Sequence, residues 1–185
     1  MKVKPTLKRG HVVVELDRKD EALLVESAAP VSSPFQIKKI LVPVDFSECS
    51  KKALQYALPF AKQFDATLTL LHVVQVNYYV GDFGTIDTAL LETEMRKNGE
   101  NQLADLRAKE VGKDLRCETV LRSGRVVSEI VDVAKQTETD LIILSTHGHT
   151  GLKHVLLGSV AENVVRHAPC PVLIVRQQEH DFIAH

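Results

Sequence analysis

Tryptophan is absent from the 185 residues and aromatic side chains make up only 5% of them, which leaves too few rings for the stacking platforms that hold single-stranded nucleic acid. An excess of one charge is lacking too. The formal net charge is −1, so no strong field draws the chain to nucleic acid or to an anionic membrane. Cysteine is scarce: Cys49, Cys117 and Cys170 lie far apart and form no C-x-x-C pair, which excludes the common zinc and dithiol motifs and suits a reducing compartment. No apolar run approaches the ~20 residues that span a bilayer. The lysines near the start have no apolar signal core behind them. Neither a G-x-x-x-x-G-K-[ST] nor a G-x-G-x-x-G after the first long apolar strand occurs, so the P-loop and the dinucleotide fingerprint are both missing. The expectation is a cytoplasmic protein with no membrane and no nucleic-acid partner.

What is present divides into three parts. Residues 1–35 form an extension with four basic residues and no acid up to Arg9. In it, residues 11–16 and 22–26 are apolar and flank a charged segment. This reads as a hairpin or as a mobile arm, and composition leaves both open; residues 27–34, small and proline-bearing, read as a linker. Residues 36–177 carry the domain, and 178–185 are a polar tail.

Within the domain, short apolar runs alternate with segments of helical periodicity. Strands are expected at 38–45, 67–74, 115–121, 140–144 and 172–175, with helices after each of the first four. Ser47 is the expected N-cap of the first helix, and Pro59 is expected to kink it. The second helix is expected over 87–110, weakened by Gly99. The third strand is polar enough for a sheet edge. A connection at 75–86 with Tyr78, Tyr79 and Phe83 is longer than most strand-to-helix loops. This β-α-β-α-β-α-β-α-β order predicts an α/β fold, a five-stranded parallel sheet with helices on both faces, Rossmann-like, in strand order 3-2-1-4-5. The loops after the first and fourth strands then flank one crevice, at the point where open α/β sheets bind ligands.

The fourth-strand loop reads Ser145-Thr146-His147-Gly148-His149-Thr150-Gly151 and is followed by Gly158-Ser159 at the start of the last helix. Taken alone it is equally a turn or an anion site. Free N–H groups at a helix start attract phosphate, glycine allows close approach, and the convergence of both loops on one crevice favours the anion site. Ser159 and Glu162 have capping-box spacing, with Ser159 as the expected cap. His147, His149 and His154 lack the i, i+4 spacing of a helical zinc pair. His72 lies in a buried-type strand and reads as structural, and Cys170 as core or interface.

Three stretches carry a resemblance. Val42-Pro43-Val44-Asp45-Phe46-Ser47, Leu71-His72-Val73 and Ser145-Thr146-His147-Gly148 with Leu156-Leu157-Gly158-Ser159-Val160-Ala161-Glu162 and Ala168-Pro169-Cys170-Pro171-Val172 resemble the universal stress protein family over roughly 37–176. In the family's ATP-binding branch the loop reads G-x-x-G, nine residues, then G-[ST]; Gly148, Gly158 and Ser159 match, and Ser145 replaces the first glycine. The resemblance implies ATP with its adenine against Val44 and Val73, near Pro43 and Asp45. Its phosphates would meet Ser145, His147, Gly148, Gly158, Ser159, Val160 and Ala161, and Asp45 would be a candidate magnesium ligand. It also implies a stress-response regulator without catalytic residues, and a homodimer through residues 172–175, whose unpaired edge points the same way. Two alternatives stand beside it. One is a slow ATP hydrolase or phosphotransferase using Asp45 and magnesium. The other, favoured by Ser145, is a dimeric interaction module that binds no nucleotide.

Overall fold

The computed structural model describes residues 2–5, 12–15, 36–75, 88–146 and 157–177, with the main chain alone at 2–5, 12–15 and 88–89. The chain divides into two compact units, Met1–Gln36 and Ile37–His185. The first holds β1 (Lys2–Pro5) and β2 (Val12–Glu15), antiparallel, with Lys2 opposite Glu15 and Pro5 opposite Val12. The expected hairpin joined 11–16 to 22–26. The structure pairs β2 with β1; 22–26 and the 27–34 linker lie outside the described residues.

The second unit contains β3 (Lys39–Pro43), α1 (Glu48–Phe64), β4 (Thr67–Val74), α2 (Thr88–Glu110), β5 (Cys117–Ser123), α3 (Val126–Gln136), β6 (Leu141–Ser145), α4 (Ser159–His167) and β7 (Val172–Val175). Its strands form one parallel sheet in the order β5-β4-β3-β6-β7, the predicted 3-2-1-4-5 when the domain's strands are counted from β3. Parallel strands covered on both faces need apolar residues at every position, which is why β3 reads as an unbroken run: Ile40, Leu41 and Val42 are all buried.

The two faces build separate cores. Ile40, Val42, Leu68, Leu70 and Ile143 pack with Leu54 and Ala57 of α1 and Leu103 of α2. Leu41, Leu71, Ile142 and Leu144 pack with Ile130 of α3 and Ala161 and Val164 of α4. Thus α1 and α2 cover one face, and α3 and α4 the other. β3 and β6 are neighbours, with Ile40 level with Leu141 and Leu41 with Ile142. The sheet's topological switch therefore falls between them.

Helix ends follow local chemistry. Ser47 caps α1 as expected, its Oγ accepting from the Ser50 N–H at 3.2 Å. The helix runs on through Pro59, which is exposed, as is Gln55, whose carbonyl loses the i→i−4 bond to water. α1 ends on Asp65 in the left-handed conformation (φ 51°), its N–H donating to the Ala61 carbonyl. β5 is the expected polar edge strand, displaced by two residues from the expected span.

Candidate functional site

At the C-terminal end of β3 the chain makes a tight turn. The Val44 N–H donates to the Leu71 carbonyl at 2.8 Å, which carries the strand register one residue past Pro43. Asp45 Oδ1 accepts from the Ser47 N–H at 3.1 Å and from Ser47 Oγ at 2.6 Å. This is the Asx turn expected of a strand-end aspartate. Between them Phe46 has φ 65°, a left-handed conformation that a bulky side chain rarely adopts. The Phe46 ring lies 4.5 Å from the His72 ring, tilted by 41°. His72 Nδ1 is 2.9 Å from the Val44 carbonyl; a carbonyl only accepts, so Nδ1 carries the proton.

At the end of β6, Thr146 is buried and ties three segments together. Its N–H donates to the Val175 carbonyl of β7 at 3.0 Å, and its own carbonyl accepts from the Gly158 N–H at 2.9 Å. The start of α4 is thereby held against the C-terminal end of β6. The expected cap at Ser159 is corrected here. Gly158 is the N-cap (φ −69°, ψ 153°) and Ser159 is the first helical residue. The Gly158 N–H bond to the Thr146 carbonyl holds Gly158 extended, so the helix opens one residue earlier than a cap at Ser159 requires. The capping box does not form either: Glu162 turns to Arg166, whose Nη2 donates to its Oε1 at 2.9 Å. Because glycine offers no side-chain acceptor, the first-turn N–H groups of Ser159, Val160 and Ala161 have no acceptor among the described residues. Main-chain donors aimed outward from a helix start are an anion cradle.

The structure sorts the predicted set. Pro43 and Val73 fall on the α3–α4 side of the sheet, Pro43 by alternation with Leu41 and Val73 by its packing in that core, and the start of α4 lies on the same side. Val44 does not join them. Its side chain is only 4% exposed and belongs to the α1–α2 core, while both its main-chain polar groups are engaged. Val44 and Val73 thus present no common wall, because strand residues alternate in face and the two differ in that alternation. Ser145 follows Leu141 and Ile143 to the α1–α2 face. His147, Gly148, Gly151, His149 and His154 lie outside the described residues, as do Tyr78, Tyr79 and Phe83. Sequence reasoning missed Thr146, for which a small polar residue directly after a buried strand was the available signal. It also missed the link from His72 to the Asp45 turn.

Nothing described points to a nucleophile or a resident metal. Burial, then the nearby carboxylates of Asp45 and Glu48, push the Cys49 thiol up. Burial pushes up Cys117, and burial with Asp140 pushes up Cys170. All three are held away from the reactive thiolate form. Among the described residues no three His, Cys, Asp or Glu side chains gather to hold a metal, and no helix is long and apolar enough to cross a membrane.

The sequence model of the Universal stress protein family matches residues 36–176. Universal stress protein MJ0531 of Methanocaldococcus jannaschii is 35% identical over 144 residues, covering 78% of this chain and 85% of its own. The solved structure of hypothetical protein MJ0577 from the same organism is 30% identical with a TM-score of 0.69, covering 79% of this chain and all of that one. A universal stress protein solved in complex with cAMP covers 78% of this chain and all of its own; at 23% identity and a TM-score of 0.53 it shares the fold.

Proposed function

The chain belongs to the universal stress protein family, and from that premise we propose that it is a cytoplasmic nucleotide-binding regulator of the stress response, taking ATP with magnesium in the crevice between β3 and β6. The observation that carries this reading is the start of α4. There a glycine cap leaves three N–H donors turned out of the helix, at the C-terminal end of the sheet's switch strand. A polyphosphate fits that set: it brings only acceptors, and several charge-assisted hydrogen bonds add to the dipole's ~0.3–2 kcal/mol. The adenosine half would extend toward Pro43, Asp45 and the half-buried Val73. That a protein of this fold holds cAMP agrees with a nucleotide ligand at the level of fold alone.

Magnesium would arrive with the phosphates. Asp45 is the one acidic residue of the predicted set, and its Oδ1 serves the Ser47 turn. The same bonds weigh against a hydrolase in which Asp45 acts as base. The interaction-module reading keeps one observation in its favour, Ser145 in place of a loop glycine. β7 is an edge strand of four residues, which supports pairing with a second copy through it. The extension 1–35 is read as separable from the domain that begins at residue 36.

Calorimetric titration of the purified full chain with ATP and magnesium tests the central claim. Saturable 1:1 binding is expected, together with nucleotide recovered from the denatured protein. No heat and no recovered nucleotide would leave the interaction module as the reading. Sedimentation at micromolar concentration tests the dimer, and a monomer there would refute it.

A further inference from the structure

We propose that His72 is a positioning residue for the strand-end turn that carries Asp45, and that through this turn it sets affinity for the adenosine half of the ligand while leaving the phosphate half untouched. The ring makes three contacts with separate parts of the fold. Nδ1 donates to the Val44 carbonyl at 2.9 Å, one residue before Asp45. Its face supports the Phe46 ring at 4.5 Å, one residue after Asp45. Its far edge abuts α2 at Gly99, where an added Cβ would come within 3.1 Å of His72 Cδ2 and 2.9 Å of Leu121 Cδ1. Gly99 is buried in the middle of a 23-residue helix, a costly place for glycine, and the close approach of His72 and Leu121 supplies the reason.

Phe46 needs such a support. A phenylalanine at φ 65° persists only where its surroundings over-determine it. On one side the turn is closed by Asp45 and Ser47. On the other, Phe46 packs against the α1–α2 core and meets the His72 ring. Without the ring, Phe46 loses its aromatic contact and the Val44 carbonyl loses its side-chain donor, so the turn can relax to an extended path. The clamp is anchored on β4 and α2, whereas the anion cradle at α4 is tied through Thr146, just after β6, to the Val175 carbonyl of β7. The two halves of the crevice are therefore held independently.

The part concerning adenosine rests on the nucleotide reading; the part concerning the turn does not, so the test has two arms. In the first, amide hydrogen exchange is followed without ligand in the full chain and in His72→Leu and His72→Asn. Asparagine places an N–H close to where Nδ1 stands and keeps the donor. Exchange at the Ser47 and Ser50 amides should rise about tenfold or more in His72→Leu, the scale of one net hydrogen bond. It should return toward wild type in His72→Asn, with the Thr146 and Gly158 amides unchanged throughout. Unchanged Ser47 exchange in His72→Leu, or a uniform rise across the sheet in both variants, overturns the proposal. In the second arm, His72→Leu should weaken ATP about tenfold and leave inorganic tripolyphosphate binding as it was. Equal loss for both ligands overturns it. If the wild type binds neither ligand, the nucleotide reading falls, and the exchange arm alone decides the role of His72.

Discussion

Two helices follow the neighbouring strands β3 and β6, and they open differently. α1 starts on Ser47, whose hydroxyl accepts from the Ser50 N–H while donating to Asp45. α4 starts on Gly158, which has no side chain to offer. The first helix start is capped by a side chain, and the second has no capping acceptor among the described residues. A helix start gains about 1 kcal/mol from a proper cap, so the bare start forgoes stability that the capped one has. What the difference teaches is where to look for a ligand: at the start whose donors meet no acceptor among the described residues.

The largest effect should come from making the two starts alike. Gly158→Asp gives α4 a carboxylate cap, and the extended dihedrals of Gly158 accept any side chain (φ −69°, ψ 153°). ATP affinity should fall at least about tenfold while stability holds or rises by a few tenths of a kcal/mol. Calorimetry with urea unfolding reads both, and undiminished affinity would remove α4 from the site. The reverse exchange, Ser47→Ala, strips the cap from α1 and a donor from Asp45. It should cost about 0.5–2 kcal/mol of stability, read from urea unfolding, with a smaller effect on ATP. Asp45→Asn keeps an acceptor for Ser47 and removes the charge. Since the structure gives that carboxylate to the turn, the loss of ATP affinity should stay under about tenfold and be equal with and without magnesium. A loss confined to magnesium would make Asp45 a metal ligand. The smallest effect belongs to Ser159→Ala. As the first helical residue, exposed and not the cap, Ser159 should change stability by no more than ~0.5 kcal/mol, and its N–H stays in place for the ligand.

Much of the fold was legible because a doubly covered parallel sheet leaves a plain mark. Residues 40–42 and 141–144 are apolar at every position, as only strands buried on both faces can be. Crossover handedness and the alternation of elements limited the topologies, and the order 3-2-1-4-5 was the usual arrangement among them. The cap at Ser47 was legible because its partner is local. The cap at Gly158 was not, because a bond from Thr146, distant in sequence, decides where α4 begins. Val44 and Val73 were grouped by motif, although alternation along β3 and β4 was enough to separate them. The left-handed Phe46 left no trace, since nothing local to it favours that conformation; its support arrives from β4. The pairing of β2 with β1 went unseen because a segment ending in basic residues and proline reads as coil.

The three donors at the start of α4 belong to the main chain, and this gives the cradle an unusual relation to mutation. Any residue but one at 159, 160 or 161 still carries an N–H, so ordinary sequence drift can change the side chains there and leave the cradle intact. An alanine scan across these positions would leave the donors in place and read nearly flat even if the proposed ligand binds there. The exception is proline, which has no N–H and is well tolerated as the first residue of a helix, so Ser159→Pro removes one donor and keeps α4 folded. A function held this way is inherited through the path of the backbone more than through the identity of its residues.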